Sequence, residues 1–196
     1  YALEGSVFVA GSLIQWLRDD LKLLESAAES EVLARSVSDN GGAYVVPALS
    51  GLGAPYWEPL ARAAIVGLSF ATGRAHIVRA ALEAMAHQTQ DLMTAFASDG
   101  AEWERLKIDG GMVANDWLAQ DLADMLNLAV ERPAFVETTA LGAAMLAGVG
   151  CGLFSSLEDA AAMRGDVESF EPNMAENERG ARLSQWRDAV RCVLRT

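Results

Sequence analysis

Two consecutive glycines stand between an apolar run and a polar, helix-opening pair in Leu-Lys-Ile-Asp-Gly-Gly-Met-Val-Ala-Asn at 106–115. A glycine pair at the end of a strand serves one of two purposes. It lets the chain turn tightly with φ > 0, or it lets bare backbone approach a ligand at the strand ends where open α/β sheets bind them. Asn115 closes the run, and its carboxamide can donate and accept, while its place before Asp116 also suits a helix N-cap. Residues suited to proton transfer are scattered. Glu58, Glu83 and Asp109 are the acids nearest these motifs, and none has the companion group a general base needs. No catalytic residue is therefore assigned. His76, at a predicted helix start, reads as a cap or a core-satisfying group, and His87 on the same helix is likewise given no catalytic role.

Composition narrows the partners. The 196 residues, 52% hydrophobic and 21% charged, suffice for one globular domain with a sizeable core. A net charge of −12 opposes binding to nucleic acid or an anionic membrane surface, where Lys and Arg must replace counterions. A nucleoside triphosphate stays compatible, because backbone N–H groups and a metal ion can hold phosphates without a basic surface. Cys151 and Cys192 lie far apart and without histidines at metal-ligand spacing, so neither a disulfide framework nor a zinc site is expected, and a reducing cytoplasm is the natural setting. The weakly charged stretch 140–154 is broken by four glycines and falls short of the about 20 residues of a spanning helix. The opening YALEGSVF has neither an initial Met nor a signal-peptide pattern, and predicts that the natural N-terminus lies upstream.

Periodicity supplies the elements that must position these residues. Val9, Leu13, Trp16, Leu17, Leu21 and Leu24 recur at helical spacing and predict a helix over 11–24. The polar break SVSDNGG leads into a strand within AYVVPAL, and a second strand is predicted at 63–69. The loop GLGAPYWEP between them is expected to be ordered, with Tyr56 and Trp57 packed. A turn at Thr72-Gly73 opens a long helix over 75–97, with Ile77, Ala81, Leu82, Met85, Ala86 and Leu92 inward. A strand over 105–109 follows, then a helix from Asn115 or Asp116 to about 128, a short strand in AVERP, and a small-residue helix capped by Thr138 or Thr139. In that helix Gly142, Ala143, Ala144, Ala147 and Gly148 predict close packing against a sheet. SSLEDAAAM opens another helix from Ser155 or Ser156, and a final helix over 176–195 puts Leu183, Trp186, Val190 and Val193 on one face, with Arg187, Arg191 and Arg195 near its end. Strands alternating with helices predict an α/β layer structure.

Several of these segments together resemble one family. The glycine pair and Asn115 look like the adenosine motif of the actin, Hsp70 and sugar-kinase superfamily. The run AAIVGLSFATGRAHIVRAALE (63–83), with Gly67, His76 and Glu83 at fixed gaps, is similar to a signature of the FGGY carbohydrate kinases. The segments 1–21 and 44–68 resemble the glycerol-phosphorylating members of that family more than those acting on xylulose or gluconate, and 130–150 also resembles that family. The resemblance covers nearly the whole chain.

It implies an actin-like (ribonuclease-H-like) ATPase domain over 1–196, a mixed sheet flanked by helices, acting as the C-terminal nucleotide-binding half of the enzyme. ATP contacts carried over by position fall on Gly11, Gln15, Gly111 and Asn115. Gly11 and Gln15 are four apart, so on a helix they share a face and present bare backbone beside an amide. The resemblance further implies transfer of the γ-phosphoryl group of ATP to glycerol. Mg²⁺, the phosphate grip, the base and the glycerol site would be held mainly by an N-terminal domain outside this chain. A kinase acting on xylulose or gluconate, or a nucleotide-binding module inactive alone, is the alternative, and a homo-oligomer is compatible with either.

Overall fold

The computed structural model describes residues 2–194; Tyr1, Arg195 and Thr196, including the expected end of the last helix, lie outside the described residues. Helix α1 (Gly11–Asp19) is followed by a short helix α2 (Glu29–Arg35), strand β1 (Tyr44–Val46), strand β2 (Ala64–Val66) and the long helix α3 (Arg74–Ser98). Strand β3 (Leu106–Lys107) then leads through a 3-10 turn (Gly111–Ala114) into helix α4 (Asp116–Leu126) and strand β4 (Val130–Pro133). Helix α5 (Thr138–Gly150), a short helix α6 (Leu157–Ala160) with a 3-10 turn, strand β5 (Val167–Phe170) and helix α7 (Glu176–Leu194) complete the chain.

The strands form two small sheets. β1 and β2 pair antiparallel, Val45 opposite Ile65, while β3 lies parallel to β4 and β4 antiparallel to β5. The second sheet is thus mixed, as expected. β1 is buried along its length and divides the core by alternation: Val45 joins the cluster of α1, α3 and α4, whereas Tyr44 and Val46 face the cluster around Trp186 of α7. Helix α3 lies between these layers, and every residue from Ala80 to Gln88 is buried. Apolar burial on all sides, and not an amphipathic stripe, is what places this helix centrally.

Local chemistry sets the boundaries. α3 begins where the Gly73 N–H donates to His76 Nδ1 at 3.1 Å, so His76 is a capping residue. α4 is capped by Asn115, whose Oδ1 accepts from the Leu118 N–H at 2.9 Å, and ends at Asn127 in the left-handed region. α6 is capped by Ser156, which accepts from the Asp159 N–H at 3.1 Å. Gly67, the glycine of the signature run, has φ +76°, and a Cβ there would run into the Gly42 carbonyl oxygen. Only glycine fits that crossing of two loops.

The structure corrects several expectations. α1 ends at Asp19 and not near 24; Lys22 turns the chain with φ 55°, and Leu24 reaches the core from the loop. α2 and β5 were not expected from periodicity. Trp57 is 62% exposed and meets Phe8 edge-on, with ring centroids 6.4 Å apart. Its neighbour Tyr56 does pack, donating its hydroxyl hydrogen to the half-buried Asp91 at 2.7 Å. Asp91 also accepts from the Trp186 indole N–H at 2.8 Å, which ties the loop to α3 and α7. Thr138 is the first residue of α5 and not its cap; its hydroxyl donates to the Asp109 carboxylate. The small residues of α5 do not lie on a sheet: Ala143, Ala144 and Ala147 are exposed, and the close approach is at Gly148, where a Cβ would sit 2.6 Å from the Phe154 ring.

Candidate functional site

Gly11, Gln15, Gly111 and Asn115 line a single cleft of about 530 Å³ between α1, α2 and the turn that opens α4. Gly11 is the first residue of α1, and Gln15 follows one turn later on the same face, exposed and with no side-chain hydrogen bond among the described residues. Gly111 opens the 3-10 turn and Asn115 closes it. Ile14, Arg18, Ala27, Ala28, Ser30 and Glu31 complete much of the wall. Four of these six come from α2 and the loop before it, a region whose structure periodicity did not reveal.

The two glycines of the motif divide the roles that the sequence left open. Gly110 has φ +86°, and its N–H donates to the Val136 carbonyl at 2.8 Å, so Gly110 makes the turn. Gly111 has no positive φ, and a Cβ placed on it would meet no atom within 4 Å. The open backbone surface is therefore at Gly111, and the strained conformation expected there belongs to its neighbour. Gly11 behaves differently from expectation as well. A Cβ at Gly11 would lie 3.3 Å from both Cγ and Sδ of Met112, so its bare surface is covered by that thioether and serves to bring α1 against the turn.

Charged groups brace the turn from outside. Arg132 on β4 donates to the Val113 carbonyl at 2.6 Å and to Asp116 at 2.7 Å, also reaches Glu168, and lies 5.0 Å from the Phe170 ring centroid. Its pKa is raised: burial alone would lower it, but Asp116 and Glu168 favour the cation. From the other side Glu31 accepts from the Asp116 N–H at 3.2 Å while pairing with Arg35 at 2.8 Å. The amino end of α4 thus already faces a carboxylate of the protein, which leaves this part of the cleft suited to an uncharged portion of a ligand. At the rim Arg18 pairs with Asp19 at 2.7 Å, and that hydrogen bond holds Asp19 below the ordinary carboxylate range.

The acids nearest the motifs are engaged elsewhere. Glu83, 2% exposed, accepts from Arg79 at 2.9 Å and from Asn40 at 2.8 Å. Arg182 of α7 approaches Glu83 at 3.8 Å and grips Asp121 with two hydrogen bonds of 2.6 and 3.0 Å. Burial pushes Asp121 up to about 6 against the pull of Arg182, and the guanidinium is raised in turn because Asp121 and Glu83 outweigh its own burial. This set joins α3, α4 and α7 in the core. Asp109 and Thr138 lie in a separate cavity of about 500 Å³ with Lys107, Gly142, Met145 and Arg164. Glu58 accepts from the Leu60 N–H within its own loop. His87 is fully buried and stacked on Trp186 at 5.1 Å; neither ring nitrogen has a partner, and burial lowers its pKa well below the usual value. Among the described residues no group of three or more His, Cys, Asp or Glu is placed to hold a metal ion, and no helix is long and apolar enough to cross a membrane.

The chain is similar to known proteins in sequence and in fold. Residues 1–151 match the sequence profile of the FGGY family of carbohydrate kinases, C-terminal domain. The chain is 54% identical to the glycerol kinase of Alcanivorax borkumensis over all of its own length, and 54% identical to that of Rhodospirillum rubrum over 98% of it. It spans 40% and 39% of those two relatives. A crystal structure of Plasmodium falciparum glycerol kinase with ADP superposes on the whole chain with a TM-score of 0.88 at 37% identity, the chain covering 39% of it. A xylulose kinase from Rhodospirillum rubrum gives 0.74 at 25% identity over 95% of the chain.

Proposed function

This chain belongs to the FGGY family of carbohydrate kinases, and we propose that it forms the ATP-binding C-terminal half of a glycerol kinase, a domain of the actin-like ATPase fold. In this reading the adenosine of ATP lies in the cleft between α1, α2 and the Gly110-Gly111 turn. Gly111 gives the nucleotide a flat backbone surface, Asn115 and Gln15 offer amides, and Gly11 closes the floor through Met112. The observation that carries the reading is that four residues, drawn from positions up to 104 apart in the sequence, line one cleft. The glycerol kinase of similar fold was solved with ADP.

The reaction is transfer of the γ-phosphoryl group of ATP to a hydroxyl of glycerol, giving sn-glycerol 3-phosphate. Such transfers depend on positioning and charge neutralisation inside a closed cleft. The acids nearest the motifs, Glu58, Glu83 and Asp109, are engaged with structural partners, and the base, the phosphate grip, the glycerol site and most of the hold on Mg²⁺ are assigned to a preceding domain. Mg²⁺ would neutralise the phosphates there. The enzyme would work in the cytoplasm. The test is turnover with glycerol, xylulose and gluconate as acceptors. The whole enzyme carrying this chain is expected to phosphorylate glycerol in preference to the other two, and the 196-residue chain by itself to form no glycerol 3-phosphate. Preference for xylulose or gluconate would move the assignment within the family, and turnover by the chain alone would show the chemistry to be misplaced.

A further inference from the structure

Asn115 is not free to present its carboxamide either way round. Its Oδ1 accepts from the Leu118 N–H at 2.9 Å, and its Nδ2 donates to Ser30 Oγ at 3.3 Å. Ser30 is 2% exposed, and its own hydroxyl hydrogen goes to the Ala27 carbonyl at 2.6 Å, so toward Asn115 Ser30 can act only as an acceptor. Turning the amide over would set its NH₂ against the Leu118 N–H, donor against donor, and its oxygen against the Ser30 oxygen, acceptor against acceptor. Two independent partners, one on α4 and one on α2, therefore fix the same orientation. One amide hydrogen remains uncommitted, on a residue that lines the cleft.

We infer that Ser30 is a positioning residue for the nucleotide, holding Asn115 so that its uncommitted amide N–H faces the cleft as a donor to a ring nitrogen of the purine. The inference rests on the adenosine-site reading above. It assigns a role to α2, which carries none of the motif residues: the helix bears Ser30 against Asn115 and Glu31 against the Asp116 N–H, and so couples the far wall of the cleft to the amide.

The experiment is calorimetric titration of ADP, and of its 1-, 3- and 7-deaza analogues, into the whole enzyme carrying this chain, as wild type, Ser30→Ala, Asn115→Ala and the double variant. Ser30→Ala is expected to weaken ADP about three- to tenfold, the scale of one hydrogen bond, with glycerol affinity unchanged. Adding Ser30→Ala to Asn115→Ala is expected to cost nothing more, because Ser30 acts through the amide. In the wild type one deaza analogue should lose affinity by a similar factor, and that loss should vanish in Asn115→Ala. This arm needs no folded Ser30 variant. Additive losses in the double variant, or three deaza analogues binding as tightly as ADP, would overturn the inference while leaving the site in place. If Gly111→Val leaves ADP binding intact, the site itself is wrong and the inference falls with it.

Discussion

Polar residues in this molecule fall into two regions with opposite character. In the core, Asp121, Glu83 and Asn40 are buried and pair with the half-buried Arg182 and Arg79 across α3, α4 and α7, with Arg182 Nε alone of these groups left without a partner among the described residues. In the cleft, Gln15 is exposed and unengaged, Gly111 is bare backbone, and Asn115 keeps one amide hydrogen to spare. The first region is closed to any ligand and explains stability. The second has polar capacity that folding does not use, which is what a binding surface requires. Strongly shifted acids often mark functional sites, yet here the most shifted carboxylate that faces a cation, Asp121, belongs to the architecture.

The contrast is broken most severely by Arg182→Met. Removing the guanidinium leaves Asp121 and Glu83 buried without it, and a loss of about 3–5 kcal/mol in urea unfolding is expected. The loss should shrink in acid as Asp121 takes up a proton, and ADP affinity of the folded protein should stay unchanged. A variant of wild-type stability would mean that this cluster is wetter than its burial indicates.

His87 gives a smaller effect with a defined sign. Its folded pKa is held below the unfolded 6.5 by burial, so below about pH 6.5 the unfolded chain binds a proton that the native core refuses. Stability contributed by the neutral ring is thus present above pH 6.5 and declines as pH falls. Between pH 6.5 and 5.5 the wild type should lose about 1 kcal/mol more than His87→Phe, read from denaturant midpoints at each pH. Parallel pH profiles would show that the imidazole finds a partner.

Much of this division was legible in the sequence. The long helix α3, the strand–glycine–helix unit at 106–126 and the apolar face of α7 follow from periodicity, because each presents a long or sharply bounded pattern. α2 does not: seven residues with only Ser30 and Ala34 buried give no readable period. β5 is also hidden, since three of its four residues are exposed and it gains its place only by pairing with β4. Trp57 misled because a large aromatic is usually buried, and nothing local marks one that stands on the surface. At the site, the glycine pair announced itself, but which glycine turns and which stays open depends on the Val136 carbonyl, contributed from 26 residues beyond Gly110. Ser30 and Arg132 act on the site through contacts 85 and 19 residues away in sequence, and no local pattern carries such information.

The smallest expected effect is at Gln15. Exposed and without a side-chain partner, it should tolerate replacement by Ala within about 0.5 kcal/mol of wild-type stability. ADP affinity should nonetheless fall a few-fold if the amide meets the nucleotide, as seen by titration beside a melting curve. A change in stability without a change in affinity would move Gln15 to the structural side of the comparison.

The central claim is that the cleft beside Gly111 receives the nucleotide, and calorimetric titration of ADP and of glycerol into Gly111→Val, in the whole enzyme carrying this chain, tests it most directly. Gly111 has no positive φ and open space where a Cβ would stand, so a side chain fits the protein and obstructs only what enters the cleft. The account predicts a near-native melting temperature, glycerol affinity close to wild type, and ADP affinity lowered by more than about tenfold, about 1.4 kcal/mol. Unchanged ADP affinity, or equal loss of both ligands together with a lower melting temperature, would contradict it.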